Sequence, residues 1–243
     1  MEPFIKQKQP GATRSHWPNK MSGRLIISPY NIGLEVGQPV ELMSEITTGF
    51  NLAPCTQLAI LRQQTSKLTL DKAFWSFTPS WMKQLDQAPY IIRNENLASS
   101  PMFKESWQKR RCLLPVTGYY IWVQMTRRKQ AFAVRREHNR PFFLAGIWTR
   151  YPVTATRYYD TFGLISIPAD PWLGKLTPRV PVTIKQTDIN TWLQPSTPEK
   201  QLEQLLLPDT VTLECYPVSD LVNDPQNQTS QVASPIAERR RPG

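Results

Sequence analysis

Apolar positions along this chain come in short, dense runs separated by Pro, Gly and polar residues, the spacing of β-strands rather than of long amphipathic helices. Leu25-Ile26-Ile27, Leu58-Ala59-Ile60-Leu61, and residues 123–125, 131–136 and 157–168 each predict a strand. Residues 141–148, with no charged interruption, predict a strand buried on both faces. The densest run is residues 110–122, RRCLLPVTGYYIW. An apolar stretch bounded by Pro115 and Gly118 and followed by aromatics predicts a buried strand, a turn and a second strand, together a core β-hairpin. Helices are few and short. Ser100 as N-cap with Pro101 at the first helical position opens one that runs to about Arg110. Residues 187–193 and 197–207 predict two more, the second capped by Thr197 with Pro198 behind it.

Composition agrees with this picture. The 243 residues include 23 Pro and 10 Gly, which suits many strands joined by stiff turns. Lys and Arg number 29 against 19 Asp and Glu, a net charge of +10 that favours a polyanionic partner. Cys55, Cys112 and Cys215 lie far apart without a CxxC pairing, so neither a disulfide framework nor a zinc site is expected, and the spacing points to a reducing compartment. No apolar stretch approaches membrane-spanning length, and the first twenty residues lack the apolar centre of a secretory signal. Residues 1–20 are polar, basic and broken by Pro3, Pro10 and Pro18. They read either as a flexible arm or as a basic arm touching phosphates through Lys6, Lys8, Arg14 and Lys20. Residues 225–243 are polar, end in Arg239-Arg240-Arg241, and are expected to form a disordered basic tail.

Several blocks, in order, resemble the SRAP (SOS response-associated peptidase) family. Met21-Ser22-Gly23-Arg24 is similar to the family's opening M-C-G-R, Phe50-Asn51-Leu52-Ala53-Pro54 to its F-N-x-A-P turn, and Phe74-Trp75 through Trp81-Met82 to its pair of tryptophan positions. Arg93-Asn94-Glu95 is similar to R-x-E, residues 111–122 to R-C-L-x-P-x-D-G-x-x-E-W, and Pro141-Phe142 through Trp148 to its buried strand motif. Thr177-Pro178-Arg179-Val180-Pro181 matches H-x-R-M-P, and Tyr216-Pro217-Val218-Ser219 with Val222-Asn223 matches the closing block. The resemblance implies an α+β, predominantly β fold of curled antiparallel strands with a few short helices over residues 21–224, between the arm and the tail. It also implies single-stranded or abasic-site DNA as partner, no cofactor or metal, a monomer, a DNA-damage (SOS) role, and a cytoplasmic location, nucleoid-associated if bacterial. By the same resemblance Arg24, Asn51, Pro54, Trp81, Met82, Arg93, Glu95 and Arg179 are expected at the DNA.

Departures fall on the family's chemistry. The family uses an N-terminal cysteine whose amine attacks the aldehyde of an abasic site and whose thiol closes a ring on the same carbon. Ser22 stands at that position, preceded by Met21 and the arm. A hydroxyl is a far weaker nucleophile than a thiol, and an amine in a peptide bond forms no imine. The family's asparagine, glutamate and histidine are Ile91, Ile121 and Thr177, and its aspartate is Thr117. Threonine cannot shuttle a proton near neutrality as imidazole does. Three readings stay open: a DNA-binding module without chemistry, a variant enzyme using Ser22 freed by a start at Met21 or Cys55, and a protein-interaction module docking through arm or tail.

Overall fold

The computed structural model describes residues 23–208 and 213–242, over which the runs above become fourteen strands and four short helices. The chain begins β1 (Leu25–Ile27), α1 (Ile32–Val36), β2 (Val40–Leu42), β3 (Gly49–Leu52), β4 (Gln57–Gln64) and β5 (Lys67–Trp75). It continues β6 (Ile91–Arg93), α2 (Lys104–Lys109), β7 (Arg111–Val116), β8 (Gly118–Gln124) and β9 (Lys129–Arg136). Then come β10 (Phe142–Pro152), β11 (Tyr158–Pro168), β12 (Arg179–Pro181), β13 (Thr183–Ile184), α3 (Ile189–Leu193), α4 (Glu199–Gln204) and β14 (Leu213–Pro217).

These strands build two sheets. One has five strands in the order β14-β9-β8-β1-β3. The other has nine, along the path β12-β11-β10-β7-β4-β5-β2 with β6 and β13 attached. β5 also pairs in parallel with β11, Phe74 opposite Thr161, so β4, β5, β11, β10 and β7 close on themselves as a barrel. Closure removes the open edges that a curled sheet would otherwise present. Leu113, Leu114, Leu144, Ile147, Phe162 and Leu164 are among the fully buried side chains of the continuous core, as their uninterrupted apolar runs require.

Residues 110–122 are not a hairpin. β7 pairs with β10 and β4, while β8 pairs with β1 and β9, so the chain turns from one sheet into the other at Thr117. The Thr117 amide donates to the Ile26 carbonyl (2.8 Å), and its hydroxyl accepts from the Ser28 amide (3.0 Å). Gly118 is needed for close approach, because a Cβ there would lie 2.9 Å from the Val134 carbonyl oxygen.

Three other expectations are corrected. α2 starts at Lys104, not Pro101, because the Ser100 hydroxyl accepts from the Met102 amide (3.3 Å) and organises a separate turn ahead of the helix. Thr197 does not cap α4, since its hydroxyl donates to the Thr191 carbonyl (2.6 Å). Residues 225–242 pack onto the five-stranded sheet instead of forming a disordered tail. Val232 and Ala233 are buried there with Ile26, Tyr120, Tyr216 and Val222, and Cys215 exchanges backbone hydrogen bonds with Arg240. Arg239 and Arg241 pair with the buried Glu214 carboxylate. The arm lies outside the described residues, as does Ser22.

Candidate nucleic-acid interface

Gly23 is the first described residue, and it sits in a narrow place: a Cβ there would be 2.9 Å from the Tyr90 ring and 3.0 Å from Pro54. Pro54 belongs to a turn that reverses the chain between β3 and β4, with Cys55 in the left-handed region at φ 69° and exposed. The Cys55 amide donates to the Trp75 carbonyl (3.0 Å), which fixes this turn to the end of β5. Tyr90 meets Trp75 edge-on, 5.6 Å between ring centroids. Burial raises the Tyr90 hydroxyl pKa, and the nearby Arg24 opposes that shift. The sequence reading did not single out Tyr90, whose only local signal is an aromatic before Ile91-Ile92.

Arg24 and Asn51 turn inward. Arg24 Nη1 donates to Asn51 Oδ1 (2.9 Å) and to the Val222 carbonyl (3.1 Å). Buried Asn51 donates in turn to the carbonyls of Val222, Asp224 and Asn227, and its backbone exchanges hydrogen bonds with the Gln228 amide. The pair therefore ties β1 and β3 to the segment 222–228. Burial lowers the Arg24 pKa, with the Asp224 carboxylate pulling the other way.

Arg179, at the start of β12, is held from several sides. It makes a two-pronged ion pair with Glu95 (2.8 and 2.9 Å) and donates to Asn94 Oδ1 and the Ser166 carbonyl. Its hydrogen bond, with a smaller contribution from Arg93, lowers the Glu95 pKa despite burial acting oppositely. Arg93 itself is exposed on β6, where Ile91 pairs with Leu164. The Thr177 hydroxyl donates to the Arg179 carbonyl (3.0 Å). Ile121, on β8, is 1 % exposed inside the continuous core. Among the described residues the sole histidine is His138, in the turn between β9 and β10.

Trp75 is fully buried and its indole donates to the Tyr90 carbonyl, whereas Trp81 is 62 % exposed. A buried foundation of Phe77, Thr78 and Pro79 leads to it, and the Thr78 amide donates to the Thr161 hydroxyl (3.0 Å). Met82 turns back, its amide bonded to the Pro79 carbonyl and its side chain buried. Trp81 is thus a rigidly mounted, outward-facing ring, with exposed Lys83 two residues further along the chain. Arg111, just past α2, is buried and donates to the carbonyls of Trp107, Gln108, Trp192 and Gln194; burial lowers its pKa to about 10.

Buried Cys112 and Cys215 have thiol pKa values raised by burial, Cys215 to about 12. No helix of the described residues is long and apolar enough to cross a membrane. No group of three or more His, Cys, Asp or Glu among them is placed to hold a metal ion.

Residues 21–225 match the family described as SOS response associated peptidase (SRAP). Abasic site processing protein YedK of Escherichia coli (strain K12) is 27 % identical over 191 residues, covering 77 % of this chain and 84 % of that protein. YoaM of Bacillus subtilis, with the same descriptive name, is 25 % identical over 193 residues, 77 % of this chain and 85 % of that one. A crystal structure of a Bacteroides thetaiotaomicron protein superposes with a TM-score of 0.77 at 19 % identity, covering 89 % of this chain and 100 % of that one.

Proposed function

The chain belongs to the SOS response-associated peptidase family, and we propose that within it this protein binds single-stranded DNA, abasic sites included, without joining it covalently. The carrying observation is a contrast between two side chains. Trp81 stands 62 % exposed on a rigid mount, the arrangement that base stacking needs, while Ile121 is 1 % exposed in the core at the position where the resemblance calls for a carboxylate. A carboxylate at the Ile121 position would be desolvated in the core, a cost of several kcal/mol unless it were paired. Thr177 supplies a hydroxyl, bonded to backbone, where proton transfer calls for an imidazole. The net charge of +10 and exposed Arg93 and Lys83 suit a phosphate backbone. Relatives named as abasic site processing proteins support damaged DNA as the ligand.

The test is anisotropy titration of a labelled single strand at graded salt. Log affinity is expected to fall linearly with log salt, and Arg93→Ala to reduce the slope by about 0.7, one phosphate contact. Trp81→Ala is expected to weaken binding by about 1–3 kcal/mol. Affinity no greater than that of an unrelated basic protein would overturn the reading in favour of a protein partner.

Cys55 supports a second reading, a variant covalent capture. Its thiol is exposed one residue from Pro54, which packs against Gly23, the neighbour of Ser22. An adduct that survives denaturation and disappears in Cys55→Ser would establish it.

A further inference from the structure

Beyond Trp81, the most distinctive surface is the tip of the β10–β11 hairpin. Residues 148–159 read WTRYPVTATRYY, and no acidic residue lies between Glu137 and Asp160. The register puts Arg150 opposite Asp160, Tyr151 opposite Tyr159 and Pro152 opposite Tyr158. Tyr158 is 53 % exposed, with the Arg150 guanidinium 3.6 Å from its ring centroid. On the other face half-buried Tyr159 packs edge-on against Phe74, 5.4 Å between centroids. Arg157 is exposed at the turn.

The nearest acid does not cancel this charge. Asp160 is buried and accepts from Arg150 (2.9 Å) and from Arg62 (2.6 Å). Arg62 also reaches Asp71 and lies 4.5 Å from the Trp148 ring centroid. Arg62 and Arg150 balance Asp160 and Asp71, so the net positive charge of the hairpin tip rests on exposed Arg157. The tip is also physically tied to the Trp81 mount. The Thr78–Thr161 hydrogen bond is the junction. Trp81 lies three residues from it along one chain and Tyr158 three along the other, each within about 10 Å.

We propose that the β10–β11 hairpin is a second nucleic-acid contact, in which a single strand leaving Trp81 stacks a base on Tyr158 and sets a phosphate against Arg157. This rests on the reading of Trp81 as a stacking ring. Stacking on an Arg-backed tyrosine and ion pairing to an exposed arginine are sequence-tolerant contacts, so the hairpin lengthens the bound strand without adding base preference. The ligand class is single-stranded DNA.

The experiment measures affinity for oligothymidylates from about 5 to about 20 nucleotides, a range bracketing known single-strand site sizes. The full-length protein is compared with Tyr158→Ala, Tyr158→Phe, Arg157→Ala and Trp81→Ala, each first matched to the parent in melting temperature. Tyr158→Ala is expected to leave the shortest strand unaffected and to weaken the longest by at least about fivefold, with Tyr158→Phe restoring it. Arg157→Ala is expected to reduce the salt slope of the long strand by about 0.7 and not that of the short one. Trp81→Ala should weaken every length. Hairpin variants that match the parent at all lengths, or lose affinity equally at all lengths, would overturn the inference while leaving the Trp81 reading intact. Loss of the Trp81 effect itself would overturn both.

Discussion

Trp81 and Arg179 divide the expected DNA residues into two kinds. Trp81 presents its ring to solvent, whereas Arg179 gives its donors to Glu95, Asn94 and Ser166. Arg179→Ala is therefore expected to act on folding: loss of the ion pair and the Ser166 bond should cost about 1–3 kcal/mol in denaturant unfolding. A full-stability variant with a reduced salt slope would show that Arg179 meets phosphate. Motif matching placed Arg179 at the DNA, and a guanidinium fork fits a carboxylate and a phosphate equally well, so the motif alone does not separate the two. Asn51 carries the same lesson. Its sequence setting pointed to a local turn, yet its amide binds a segment 171–176 residues away.

At the scale of elements, the apolar runs of the core strands were legible, whereas β2, β3, β5, β6, β12, β13 and β14 and the pairings were not. Residues 157–168 were read within one residue of β11, and residues 141–148 end four residues short of β10. β7 and β8 were taken as a hairpin because a Pro- and Gly-bounded turn looks alike whether the strands pair or part. Arg62, Asp71, Arg150 and Asp160 gave no sequence signal of their pairing, since they meet only when the barrel closes. That network has a pH signature. Burial alone would raise the Asp160 carboxyl, but hydrogen bonds from Arg150 and Arg62 outweigh it and hold the pKa below the ordinary carboxylate value. The resulting stabilisation is complete above the unfolded pKa of about 4 and is lost as pH falls through the folded value. Asp160→Asn is expected to flatten that acid limb and to cost about 1–3 kcal/mol at neutral pH, because buried Arg62 would keep Asp71 but lose its charged bond to Asp160. An unchanged acid limb in thermal melts would argue against this role.

For the molecule as a whole, the C-terminal segment is part of the fold. Its polar composition hid two anchoring residues, Val232 and Ala233, which cover the outer face of the five-stranded sheet. Val232→Asp is expected to destabilise the protein by about 2–4 kcal/mol, from lost apolar burial plus a desolvated charge. A substitution there with no effect in denaturant unfolding would mean the segment contributes nothing to stability. The family resemblance made the architecture legible through many weak, collinear blocks, and the same collinearity marks the positions whose residues differ from the motifs. What folding adds is the environment of those departures: Ile121 in the core, Thr177 bonded to backbone, Arg24 and Asn51 joined to the C-terminal segment.

Binding without bond formation is tested directly by one measurement. A labelled single strand with one abasic site is incubated with the full-length protein and split between a native gel and a denaturing gel. The expected result is a salt-sensitive shifted band in the native gel and free strand alone after denaturation. A denaturation-resistant protein–DNA band from the unmodified protein would contradict the account and show that covalent capture persists by another route.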